Sequence, residues 1–298
     1  MTQKTLSPAQ IDHFIEHGYV VVPECFSRQL AQEWTDQAYV RLGYDKSDRS
    51  TWKQSRLHMA LDRQDNLDEF SPKAYAACAD LAGGADRILH PAWFYSQGFI
   101  VNFNDGADRP WQPPSPHVPG WHKDGNWFLH FLDSPEQGLL MIFIFSDIKP
   151  RGGGTFVAPD SVGVVARFLA QHPEGVEPGE FPWQAMIDEC KQFVEITGST
   201  GDVVLMHPYM LHCISQNHSQ SVRFIINPAL SLAEPMNLNR ANPADYSPIE
   251  RGVLRGLGVD RYDFKPTAER RRIVSEQQKI QDKLNADEAK NLAEKTRG

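Results

Sequence analysis

The chain has 298 residues, a formal net charge of -8 and 41% hydrophobic residues, enough for one large domain or two small ones at ~100–200 residues each. No stretch reaches the ~18 consecutive apolar residues of a membrane helix, residues 1–10 lack the apolar stretch of a secretory leader, and an acidic balance makes a nucleic-acid backbone an unfavourable partner. The four cysteines (Cys25, Cys78, Cys190, Cys213) form no close pair, which argues against a disulfide scaffold or a zinc ribbon and for a reducing, cytoplasmic setting.

Ser7-Pro8-Ala9-Gln10 carries an N-cap, a proline at N1 and a capping-box glutamine, and Gly18 closes the helix that follows. Tyr19 to Val22 predicts a strand. Ser27 caps a second helix running to Gly43, with Leu30, Trp34, Ala38 and Leu42 on one stripe. Residues 44–68 are polar and mixed and receive no assignment, and a third helix is expected from Pro72 to Leu81. From residue 93 the texture changes to short β-rich runs between Pro/Gly loops. Strands are expected over 99–103, 122–128, 139–146, 155–158, 193–197, 202–206 and 222–227, with a helix at 162–171. Such spacing predicts a sandwich or barrel-like β core. Asp105 to Gly120 holds five prolines and predicts a rigid loop. The charged tail, 266–298, has a helical pattern, with Arg270, Arg271 and Arg272 on a solvated face. With no repeat or low-complexity linker, the expectation is a single domain: a helical part over 1–90, a β core over 93–230 and the tail.

The chemistry-bearing signal is Trp121-His122-Lys123-Asp124. On a strand, residues i and i+2 share a face, so one imidazole and one carboxylate can aim at a common point. A second imidazole from another strand makes a two-His, one-carboxylate triad with open positions, the donor set of non-heme Fe(II) centres. His212 is the candidate, following Gly201-Asp202 and the run Val203 to Met206. Arg223 comes 11 residues later, and a guanidinium grips a carboxylate such as the distal one of a 2-oxo acid. Other histidines compete. His207 lies near the same strand end, and His117, His122, His207 and His212 together suggest a zinc site. Its two i, i+5 pairs, however, put the partners on opposite strand faces.

These segments resemble the phytanoyl-CoA dioxygenase family of Fe(II)/2-oxoglutarate-dependent oxygenases. The resemblance takes in the opening helix with Gly18-Tyr19-Val20-Val21-Val22, the Trp-His-x-Asp segment, Gly153 to Ser161, and the Gly-Asp…His…Asn-x-Ser…Arg segment ending at Arg223. It implies a mainly β double-stranded β-helix (a cupin-like jelly roll) with flanking helices. It implies iron held by His122, Asp124 and His212, and 2-oxoglutarate held by Arg223, with Thr155 beside its distal carboxylate and Asn102 near its C1 end. With O2 as second co-substrate, such an enzyme oxidises, by default hydroxylates, a C–H bond of a small molecule and releases succinate and CO2. A free metabolite such as a natural-product intermediate is expected rather than an acyl-CoA, because no basic patch awaits a CoA phosphate. Asp124 disfavours halogenation, since related halogenases keep a small residue there. Trp111 and Trp127 are candidate substrate contacts, with Trp111 on a loop expected to close as a lid. A cupin-like isomerase or hydrolase without a 2-oxo acid, and a non-catalytic binding module, are the alternatives.

Overall fold

The computed structural model describes residues 4–61 and 63–295. The amino-terminal part runs α1 (Pro8–His17), β1 (Tyr19–Val22), α2 (Arg28–Leu42), β2 (Arg56–His58), β3 (Gln64–Asn66), α3 (Leu67–Phe70) and α4 (Pro72–Ala82). Then come β4 (Trp93–Tyr95), β5 (Ile100–Asn102), β6 (Leu139–Ile144), β7 (Thr155–Ala158), α5 (Ser161–Ala170), α6 (Trp183–Glu189), β8 (Val194–Glu195), β9 (Val203–Met206), β10 (Leu211–Ile214), β11 (Arg223–Ile226) and β12 (Ala229–Leu230). The chain closes with α7 (Pro248–Leu257) and α8 (Glu276–Lys295).

Helix boundaries follow local chemistry. The Ser7 hydroxyl accepts from the Gln10 amide and Gly18 stops α1 at φ 73, a cap worth about 1 kcal/mol. The α7 box of Ser247 and Glu250 is built the same way. At Gly256 a Cβ would lie 2.6 Å from Gly163 Cα, so two glycines let α7 lie directly on α5.

The main sheet has the order β1-β9-β6-β11-β5-β2, with β12 also on β6, and a second sheet has the order β10-β7-β8. All strand pairs are antiparallel. Residues of both sheets line one cavity, the jelly-roll arrangement, and the sheets do not close into a continuous barrel. β6 and β9 are buried at every position, which explains their near-continuous apolar sequence. The cysteines are free and buried. No helix among the described residues is long and apolar enough to cross a membrane.

Three expectations need correction. Residues 122–128 form no strand. His122 makes one bridge, and Gly125, at φ 117, turns the chain immediately after Asp124. Residues 44–68 hold β2, β3 and α3. The arginine cluster lies on no helix, because Leu129 N donates to Arg271 O and Ile273 N to Trp127 O, making 270–273 an extended strap. Arg270 pairs with Asp133 at 2.6 Å.

Candidate metal and co-substrate site

The two imidazoles meet through one bridge. His122 N donates to His212 O at 3.1 Å and His212 N to His122 O at 2.8 Å. Residues that exchange both bonds stand opposite each other with side chains on one face, and the ring centroids are 4.6 Å apart. Asp124, two residues on, completes the group. Asp124 Oδ1 lies 3.5 Å from His122 Nε2 and 3.7 Å from His212 Nε2. This is the one His/Cys/Asp/Glu cluster among the described residues with ligand atoms all within 4.8 Å of one another.

The surroundings orient these groups. His122 Nδ1 is 2.7 Å from Gly120 O and His212 Nδ1 is 3.1 Å from Met210 O. A carbonyl only accepts, so in the neutral rings each Nδ1 carries the hydrogen and each Nε2 turns a lone pair to the shared point. Asn227 Nδ2 donates to Asp124 Oδ2 at 3.0 Å, leaving Oδ1 to face the imidazoles. Burial alone would raise the Asp124 pKa, but His212 and His122 outweigh it and hold the carboxyl well below the usual range. The donor set and its support therefore fit a divalent cation with positions left open.

Arg223 begins β11, opposite Asn102 on β5, which in turn faces Arg56 on β2. It is 2% exposed, and its Nε and Nη2 have no partner. Burial, then the Arg56 charge, lower it to about 9. A buried, unmatched guanidinium costs several kcal/mol, so the geometry fits a carboxylate ligand. Arg223, Ile225 and Asn227 all line the cavity, as alternation along one strand face requires. One strand and its continuation thus carry both the carboxylate grip and the residue that steadies Asp124.

The cavity measures about 1720 Å³, above the ~300–1,000 Å³ usual for a small-molecule pocket. Thr155 and Trp127 line it. Asn102 does not. Its amide donates to Ser215 O at 3.2 Å and accepts from Asp105 N at 2.9 Å, so it braces the loop instead of facing a co-substrate. Trp111 is also displaced from its expected place. It meets Phe156 edge-on at 5.8 Å and His218 at 5.7 Å, while Asp105, Arg109, Gln112, Val118, Pro119 and Gly120 carry the loop's share of the lining. His207 is spent elsewhere, between Ile249 O and Tyr209 N. Sequence reading missed His58, which lines the cavity from β2. His58 stands exposed at the cavity wall, and desolvation there, then the Arg56 and Arg223 charges, lower its pKa. It also missed Asn227. Both signals are matters of register, with His58 two residues beyond Arg56 and Asn227 four beyond Arg223.

Residues 14–225 match the family model described as Phytanoyl-CoA dioxygenase (PhyH). No curated protein matches the chain. Among solved structures, it is similar to the non-heme alpha ketoglutarate dependent carbocyclase SnoK from nogalamycin biosynthesis, at 16% identity over 78% of this chain and 88% of that one, TM-score 0.44. It is also similar to EctD from S. alaskensis, solved with 2-oxoglutarate and 5-hydroxyectoine (16% identity, 78% of each chain, TM-score 0.44). A third is HygX from Streptomyces hygroscopicus, solved with nickel and 2-oxoglutarate (14% identity, 76% of this chain and 88% of that one, TM-score 0.43).

Proposed function

The chain belongs to the phytanoyl-CoA dioxygenase family of non-heme iron, 2-oxoglutarate-dependent enzymes, and from that premise we propose that it hydroxylates a C–H bond of a small metabolite, with His122, Asp124 and His212 holding the metal. When bound, iron(II) with 2-oxoglutarate supplies the oxidant from O2, giving succinate and CO2. The protein's part is binding and orientation. The two Nε2 lone pairs and Asp124 Oδ1 form one ligand face. The Gly120 and Met210 carbonyls hold the rings in the ligating tautomer, and Asn227 keeps Asp124 from rotating. Arg223 binds the distal carboxylate of 2-oxoglutarate, and the Thr155 hydroxyl lies in the same cavity to share that contact.

The observation that carries this reading is the buried guanidinium of Arg223, unpaired at two nitrogens in the cavity that holds the triad. A metal-dependent isomerase or hydrolase without a 2-oxo acid gives it no partner. Arg223→Leu should weaken 2-oxoglutarate binding to Mn(II)-loaded protein by about 2–5 kcal/mol, the cost of removing one partner from a buried charge pair, with Mn(II) affinity unchanged. Calorimetric titration of both ligands checks this, and equal 2-oxoglutarate affinity in wild type and variant refutes the assignment. Succinate release across a metabolite panel then tests the substrate side.

A further inference from the structure

One wall of the cavity is helix α8. It lies beyond residues 14–225, the part the family model matches. Its docking is polar. Gln281 Nε2 donates to Met59 O at 3.3 Å, Asn285 Oδ1 accepts from Leu61 N at 2.7 Å, and Glu288 pairs with Arg41 at 2.6 Å. These positions, spaced i, i+4 and i+7, form one stripe against the body of the protein.

Beside that stripe are Ile280 and Leu284. Both line the cavity, yet Ile280 is 59% and Leu284 37% exposed. A helix held by polar bonds gains little from an apolar pair over open space, because burying such side chains is favourable only when something covers them. Val118 and Trp127 add further apolar surface to the lining. The arginines of this mouth, Arg41, Arg56 and Arg109, pair within the protein, with Glu288 at 2.6 Å, Asp105 at 3.5 Å and Asp108 at 4.0 Å. An anionic carrier such as a CoA nucleotide would have to break these pairs.

We propose that Ile280 and Leu284 of α8 form the specificity-determining wall of the substrate site, and that this wall selects an uncharged, predominantly apolar substrate. The proposal rests on the reaction assigned above, which places substrate between the metal ligands and the cavity mouth. The wall acts on what is oxidised and not on the co-substrate, because Arg223 stands on β11, two strands along the sheet from β2, whose continuation at Met59 and Leu61 docks α8.

The test uses the full-length chain loaded with Mn(II) and 2-oxoglutarate. N-phenyl-1-naphthylamine, a neutral fluorescent probe, stands in for the substrate. Wild type is expected to bind it saturably at one site, without displacement by free coenzyme A. Ile280→Asp and Leu284→Asp should each weaken probe binding at least tenfold, while 2-oxoglutarate affinity and the far-ultraviolet circular dichroism stay as in wild type. The wall assignment is overturned by wild-type probe affinity in both variants, by no probe binding in wild type, by displacement with coenzyme A, or by loss of 2-oxoglutarate affinity in the variants. A wild type that binds probe but not 2-oxoglutarate would instead break the reading of Arg223 and leave the wall standing.

Discussion

At His207, burial decides the charge. Its ring is 1% exposed and fixed by Ile249 O and Tyr209 N, and burial lowers its pKa to about 3 from 6.5. The folded form therefore excludes a proton that the unfolded chain takes up below about pH 6.5. The stability this provides is complete above that pH and declines as pH falls toward 3, by about 2 kcal/mol at pH 5. Urea midpoints at pH 7.5 and 5.0 should show the loss, and His207→Gln, though less stable, should lose less over the interval. An unchanged slope in the variant would count against this. At the ligand residues the consequence is chemical: His212→Ala should abolish succinate release and keep a wild-type circular dichroism spectrum. Asn227→Ala should lower kcat at least tenfold and leave 2-oxoglutarate affinity intact, since Asn227 acts through Asp124. Full activity in His212→Ala would reopen the choice of ligands.

At the scale of elements, the loop 105–120 and the turn at Gly125 carry the tests. Trp111 packs on Phe156 under the Arg151 guanidinium, 5.9 Å from its ring. Trp111→Ala should therefore cost about 2 kcal/mol, below the 3–5 of a fully buried tryptophan, with near-normal kinetics in the folded fraction. Uncoupled 2-oxoglutarate decay at wild-type stability would restore the lid. Gly125 combines φ 117 with a Cβ position 2.7 Å from His130 Cε1, so the turn after Asp124 tolerates only glycine. The same turn explains what sequence reading could and could not see. The runs at β6, β7, β9 and β11 were legible because buried apolar strands and their bounding turns are local signals. His122, Asp124 and Arg223 were legible because residue type and spacing already carry the chemistry. The strand expected at 122–128 failed because one glycine conformation outweighs an alternating pattern. β2 was silent because a short strand with exposed arginine and histidine has no apolar period. Asn102, His58 and Asn227 depend on which residue stands opposite which across three strands, and no local pattern encodes that. The capping box of α7 was readable in Ser247 and Glu250 and went unread.

Over the whole molecule, the candidate ligands come from segments 90 residues apart, 122–124 and 212, joined by a two-bond bridge. Metal bound there ties distant parts of the chain together only in the folded state. At a hundredfold excess over Kd the linkage is worth about 2.7 kcal/mol, which for a domain of this size raises Tm by on the order of 5 °C. Thermal melts with and without Mn(II) should show this rise in wild type and none in His212→Ala. An equal rise in both would place the bound metal elsewhere.

The four free cysteines stand in four different places: Cys25 after β1, Cys78 within α4, Cys190 after α6 and Cys213 within β10. Burial pushes Cys25, Cys190 and Cys213 up to about 12 and Cys78 higher still. A maleimide added to the native protein can therefore react only when a neighbourhood opens, so each thiol becomes a clock for its own region. The order in which the four are labelled would rank the outer helices against the strand of His212 by how often they breathe, and a delay of Cys213 on adding Mn(II) would time the candidate centre itself.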